Sequence, residues 1–269
     1  MGAGPDRLLE AGLERALAKN GHVTRITRIE LPSNSWTSEI GTTFELMRQI
    51  PAAIAAKDGG LPVILAGNCI TSIGALASYP SSRTGIVWFD AHGDFNTPET
   101  SFSNILAGMP LAILAGLAGP LWRESAMLAA TVPTDRMVIA GVRELDDAEE
   151  QLLRSTDVQI MRHADSLSGR TFTDAMSRLA EKVDEIYVHI DLDVLDPSLV
   201  PSSSTPSPRG MTLANLEKLL DQTFATKKVT VVGLAGLNPR AGKRGETSTA
   251  STKSLLLASI PRWVTSDHT

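Results

Sequence analysis

A chain of 269 residues with 42% of its positions hydrophobic can bury a substantial core, and we read residues 1–269 as one domain. Its formal net charge of −5 offers no attraction to nucleic acid or an anionic membrane, and suits a small cationic substrate. The chain shows no leader pattern and no run near the ~20 apolar residues of a membrane span, and its single cysteine, Cys69, cannot form an internal disulfide. These features predict a cytoplasmic protein.

In chain order, Leu8, Leu9, Leu13, Ala16 and Leu17 fall at helical spacing and predict a first helix over 5–19. Val23, Ile26 and Ile29 suggest a strand within 22–31. Ile40, Phe44, Met47 and Ile50 predict a helix over 37–57, interrupted by Pro51. The apolar run 61–66 reads as a short buried strand ending at Gly67-Asn68-Cys69, with a helix to about Ser78. The same rhythm continues with strands at 84–90, 137–140, 157–161, 185–191 and 228–234. Between and after them, helices are expected at 104–118, 145–155, 170–183, 212–225 and 249–260. Strands alternating with helices predict an α/β fold: a three-layer α/β/α sandwich around a central, mainly parallel sheet. The Ser/Pro-rich stretch 197–211 reads as an ordered loop over the site rather than a linker, because it follows directly on an acid cluster.

Ligands of such sheets sit outside the carboxyl ends of the strands. The strand beginning Ile86-Val87-Trp88-Phe89 runs into Asp90-Ala91-His92-Gly93-Asp94, and the strand Ile186 to Ile190, which carries His189, runs into Asp191-Leu192-Asp193. Residues two apart share a face of an extended segment, so each cluster converges on one point. A single Asp-x-Asp would read as helix caps or loop acids, whereas two clusters that both end apolar strands read as a site. Four carboxylates with one or two imidazoles carry too much like charge to stand together unneutralised; two divalent cations resolve it. Carboxylate-rich ligation with little sulfur favours Mn²⁺ or a similarly hard ion. Asp196, before Pro197, reads as a structural turn residue.

The segments Asp90-Ala91-His92-Gly93-Asp94-Phe95-Asn96 and His189-Ile190-Asp191-Leu192-Asp193-Val194-Leu195-Asp196-Pro197, with Thr205-Pro206 and Asn238-Pro239 beyond them, resemble the signature motifs of the ureohydrolases: arginase, agmatinase and formiminoglutamase. The resemblance spans nearly the whole chain and implies an arginase-like fold, two Mn²⁺ ions, and trimers or hexamers. It implies that Asp90 and Asp191 bridge the two ions, His92 and Asp193 bind one, and Asp94 binds the other and orients a hydroxide. It also implies that Asn96, Ser103, Asp146 and Thr205 contact substrate. The reaction implied is hydrolysis of a C–N bond in a linear guanidino or amidino compound. Deacetylases of the same broad fold are a weaker alternative.

Three positions depart from that pattern. Cys69 stands where the family carries a metal-binding His; a thiolate ligand and an inert buried thiol are both open, and we favour the ligand. Ala107 stands where arginases carry a proton-shuttling His, which leaves His189 as a candidate, either as a shuttle or as a neutral histidine hydrogen-bonded to a ligand carboxylate. Gly236 stands where arginase-like members carry an acid facing the guanidinium. Cys69 together with the run 92–100 resembles the Nω-hydroxy-L-arginine amidinohydrolases, which implies a hydroxyguanidine substrate. The same departures motivate the alternative of a catalytically silent, ureohydrolase-like binding or regulatory protein. The resemblance also implies a strand ahead of the first helix, whereas this chain opens almost directly on Gly4-Pro5-Asp6-Arg7-Leu8.

Overall fold

The computed structural model describes residues 2–31, 38–56, 59–79 and 83–265. In chain order the elements are α1 (Gly4–Glu10), α2 (Leu13–Lys19), α3 (Glu39–Ala55), β1 (Val63–Leu65), α4 (Thr71–Leu76), β2 (Thr84–Phe89), α5 (Pro110–Leu114), α6 (Pro120–Ser125) and β3 (Met137–Val142). They continue with α7 (Asp147–Arg154), β4 (Gln159–Arg162), α8 (His163–Ser166), α9 (Gly169–Lys182), β5 (Glu185–Asp191), α10 (Leu213–Phe224), β6 (Val229–Ala235) and α11 (Lys243–Thr265). The six strands form one sheet in the order β1-β6-β5-β2-β3-β4, every pairing parallel.

Both faces of the sheet are covered, so its central strands are apolar throughout instead of alternating. All six residues of β2 are buried, as are all six of β3. Side chains still alternate between the two layers. Val87, Phe89, Val188 and Ile190 pack under α1, α2, α9, α10 and α11. Ile86, Trp88, Ile139 and Tyr187 pack under α3, α4, α5 and α7. Each of these large side chains is fully buried, a gain of roughly 1.5–3 kcal/mol apiece. No described helix is long and apolar enough to cross a membrane.

Several expected elements change shape for identifiable reasons. The helix expected over 5–19 is two helices, because Gly12 takes φ +80 and restarts the chain as the cap of α2. The expected strand at 22–31 joins no sheet: its apolar residues fall three apart rather than two, so they cannot share one pleated face, and Val23 is fully exposed. The helix expected over 37–57 is found as α3, which runs through Pro51 where an interruption was expected, and its expected ends at 37 and 57 lie outside the described residues. The helix expected over 104–118 shrinks to α5, opened by Pro110 and closed before Gly116 at φ +86. In contrast, α11 begins well before residue 249. Its buried face carries Ser248, Thr249 and Thr252, and the two Thr hydroxyls bond to carbonyls one turn back, so no apolar periodicity advertises it. The short helices α6 and α8 have no counterpart in the sequence reading.

Candidate metal centre

Strand order places the site. From β2 the chain crosses to β3 on one side, and from β5 it crosses to β6 on the other, so the β2–β5 seam is where the winding reverses. Within that seam Trp88 pairs with His189 and Phe89 with Ile190. The next residues, Asp90 and Asp191, therefore leave adjacent strands side by side. Cys69 arrives from the third direction, in the turn between β1 and α4, and its Sγ lies 3.0 Å from Asp191 Oδ2.

Backbone and side-chain donors hold the carboxylates in place. Asp90 accepts from Trp88 Nε1 at 3.0 Å and from the His92 amide at 2.8 Å. Asp191 accepts from the Asp193 amide at 2.8 Å. Asp193 accepts from the Ala91 amide at 3.2 Å and from the Thr205 hydroxyl at 2.8 Å. His92 Nδ1 faces both Asp90 and Asp193, at 3.3 and 3.1 Å. Asp94 differs: its backbone takes φ +47, a conformation costly for a non-glycine residue, and its buried Oδ2 has no hydrogen-bond partner.

Burial and mutual repulsion raise the acids. Burial, then the Asp193 charge, pushes Asp90 up to about 6 against the pull of His92. Asp94 and Asp191 lie well above the usual carboxylate range, chiefly through burial and then through neighbouring acids. Burial by itself would lower His92, but its hydrogen bonds to Asp193 and Asp90 overcome that and carry it up to about 12. Asp193, hydrogen-bonded to His92 and Thr205, is held low despite its burial. The cluster thus calls for more positive charge than the His92 imidazolium and the neighbouring Arg143 guanidinium supply among the described residues. A divalent cation fits these donors: ligand atoms of Cys69, Asp90 and Asp94 lie within 4.8 Å of one another, as do those of Asp90, His92 and Asp193.

Among the expected substrate contacts, Asn96 and Asp146 meet, Nδ2 to Oδ2 at 3.2 Å, and Thr205 reaches Asp193. Ser103 sits exposed on the loop after Asn96, where its Oγ accepts from the Ile105 amide. His189 is 1% exposed, stacks on Trp88 at 3.8 Å, and turns Nδ1 to the Tyr187 hydroxyl at 3.0 Å. Burial lowers its pKa to about 3, so it is neutral, and its Nε2 has no partner. Gly236 takes φ +92, and a Cβ there would stand 2.6 Å from Asp191 Oδ1. At this position, where the resemblance implies an acid, a side chain would strain the backbone and could enter only if the Asp191 carboxylate moved. Asp196 ties the base of the 197–211 loop through Ser198 and Gly210, a structural role.

Four residues that serve the site went unremarked in the sequence. Trp88 supports Asp90 from two residues upstream. Glu149, buried and pushed up to about 7 by that burial, accepts from the Phe95 amide at 2.9 Å and so holds the turn after Asp94. Glu144 lies 3.6 Å from His92 Nε2 and accepts from Ser207 at 3.0 Å. Arg143 donates to the carbonyls of Gly141, Asp193, Val194, Ser207 and Pro208, clamping the 197–211 loop onto the strand ends. Arg143 and Glu144 follow directly on β3, so the rule that directed attention to strand ends would also have found them.

The family model for the arginase family matches residues 2–259. An arginase of Bacillus caldovelox is 28% identical over 236 residues, covering 85% of this chain and 79% of that protein. The native structure of B. caldovelox arginase at pH 5.6 superposes with a TM-score of 0.77 at 26% identity, covering 94% of this chain and 91% of that one. A formimidoylglutamase of Bacillus subtilis shares the fold at a TM-score of 0.76 and 18% identity, covering 97% and 80% of the respective chains.

Proposed function

The chain belongs to the arginase family, and from that premise we propose that it is a metal-dependent amidinohydrolase, cleaving a C–N bond of a linear guanidino or amidino compound. The observation that carries this reading is Asp94: a buried carboxylate oxygen without a partner, among acids whose repulsion bound cations would relieve. Cys69, Asp90, His92, Asp94, Asp191 and Asp193 would hold two divalent cations, with Mn²⁺ the ion that the carboxylate-rich part of the set favours. Such a pair, when bound, supplies a hydroxide nucleophile at neutral pH.

The chain's own groups then position the reaction. Asp94, buried beside the other donors, would orient the nucleophile. Thr205 fixes Asp193, and Asn96, Ser103 and Asp146 offer polar contacts to the substrate's tail. His189 serves as a neutral group beneath the centre, sealed from solvent. With glycine at 236, no carboxylate faces a guanidinium from that position. A hydroxyguanidine, less basic than a guanidine, loses less by that absence, which supports a hydroxyarginine-type substrate. The reading extends to one domain over 1–269, a homo-oligomer of three or six copies, and a cytoplasmic setting.

The test is a panel of arginine, hydroxyarginine, agmatine and formiminoglutamate, assayed for urea, hydroxyurea and formamide. Asp94→Asn should abolish turnover while far-ultraviolet circular dichroism stays unchanged; undiminished hydrolysis in that variant removes the proposed centre. Gly236 also favours a second reading, a silent binding or regulatory relative. Bound divalent metal with turnover supports the enzyme; no metal after Mn²⁺ incubation supports the silent protein.

A further inference from the structure

The two groups of donors differ in chemistry and in access to water. One consists of Cys69, Asp90 and Asp94, joined by Asp191 through its 3.0 Å approach to Sγ. All four side chains are buried, and the partnerless Asp94 Oδ2 adds a second sign that a ligand belongs there. The other consists of Asp90, His92 and Asp193, and opens towards solvent at the 26% exposed His92 side chain. Sulfur is the one soft donor in the set, since every other donor is a carboxylate oxygen or an imidazole nitrogen.

Resting on the metal-dependent reading above, we propose that the centre is built for two unlike cations: a thiophilic ion of the zinc, cobalt or cadmium class beside Cys69, and a harder ion of the manganese class beside His92. Affinity for a given divalent ion follows donor softness as well as geometry, and a thiolate selects strongly for the softer class. On cation binding the thiol would release its proton to solvent, and Asp191, no longer accepting from Sγ–H, would be available as an oxygen donor.

The probe is cadmium added to chelator-stripped protein, followed by near-ultraviolet absorption. The unmutated chain is expected to gain a sulfur-to-cadmium charge-transfer band that saturates at one equivalent; Cys69→Ser should lose it and Asp193→Asn should keep it. Titrated with each ion separately, the Cys69 side should show a larger preference for zinc over manganese than the His92 side, and Cys69→His should narrow that difference. Because the band is read in the unmutated chain, the test does not depend on a variant folding. Two cations bound without a band would overturn the unlike-cation proposal and leave the metal-dependent reading standing. No cation bound by any form would overturn both.

Discussion

Trp88 donates its indole Nε1–H to Asp90 Oδ2 at 3.0 Å while its ring stacks on His189 at 3.8 Å, so one side chain joins the apolar layer to the acid cluster. Strand alternation forces this link, since residues 88 and 90 lie on the same face of the chain as it leaves β2. Trp88→Phe keeps an aromatic ring in place but leaves a buried carboxylate oxygen without its donor. Such a loss costs about 1–3 kcal/mol of stability and roughly 10- to 100-fold in metal affinity. Urea denaturation and Mn²⁺ titration of the variant measure both, and unchanged affinity would show that the indole does not position Asp90.

Restoring the family's acid should fail. Gly236→Glu places a Cβ 2.6 Å from Asp191 Oδ1 in a backbone at φ +92. We expect destabilisation of roughly 1–3 kcal/mol from backbone strain alone, weakened metal binding, and no gain in arginine hydrolysis. Gly236→Ala isolates the clash from the charge. A Gly236→Glu variant that folds normally and hydrolyses arginine would refute the argument from strain and clash.

Arg143 reaches five backbone carbonyls from a half-buried position, a pattern that needs the planar fork of a guanidinium. Lysine, with one ammonium, cannot span β3, the β5 end and the 207–208 turn at once. Arg143→Lys should therefore lose about 2 kcal/mol or more, given roughly 1.5–3 kcal/mol for a hydrogen bond to a charged group. Limited proteolysis should cut the variant within 197–211 sooner than the parent, and identical cutting patterns would rule out the clamp.

Glu149 gives a pH signature. Its carboxyl rises from 4.5 to about 7, mainly through burial, so the folded state holds its proton more tightly than the unfolded chain does. Between those values the folded state binds more protons, and stability must fall as pH rises through the window. His92, raised from 6.5 to about 12, adds a decline of the same sign that begins only above 6.5. Glu149→Gln should make the decline between pH 4.5 and 7 in metal-stripped protein shallower, with the part due to the raised Asp90, Asp94 and Asp191 remaining, and leave the slope above pH 8 unchanged. Denaturant midpoints at pH 5, 6 and 8 would settle it, and parallel curves for parent and variant would exclude Glu149 as the titrating group.

The sheet's six strands and the convergence of Asp90, His92, Asp94, Asp191 and Asp193 were readable because their signals are local. An apolar run needs no knowledge of its neighbours to declare a buried strand, and a charge at its end declares an outlet. The misread segments lacked such a signal or carried a misleading one. Val23, Ile26 and Ile29 were hydrophobic without a strand's period, and α11 hid a buried Ser/Thr face whose hydroxyls are satisfied one turn back.

By itself, then, the sequence determined which residues could meet a cation and that a parallel sheet would carry them. Only the tertiary structure decided that Gly236 stands against Asp191, that Arg143 pins the loop, and that Cys69 reaches Asp191 while His92 belongs to a second donor group sharing Asp90. Those relationships join residues as far apart as 122 positions. They depend on strand order and backbone approach, which no local period of two or 3.6 residues encodes.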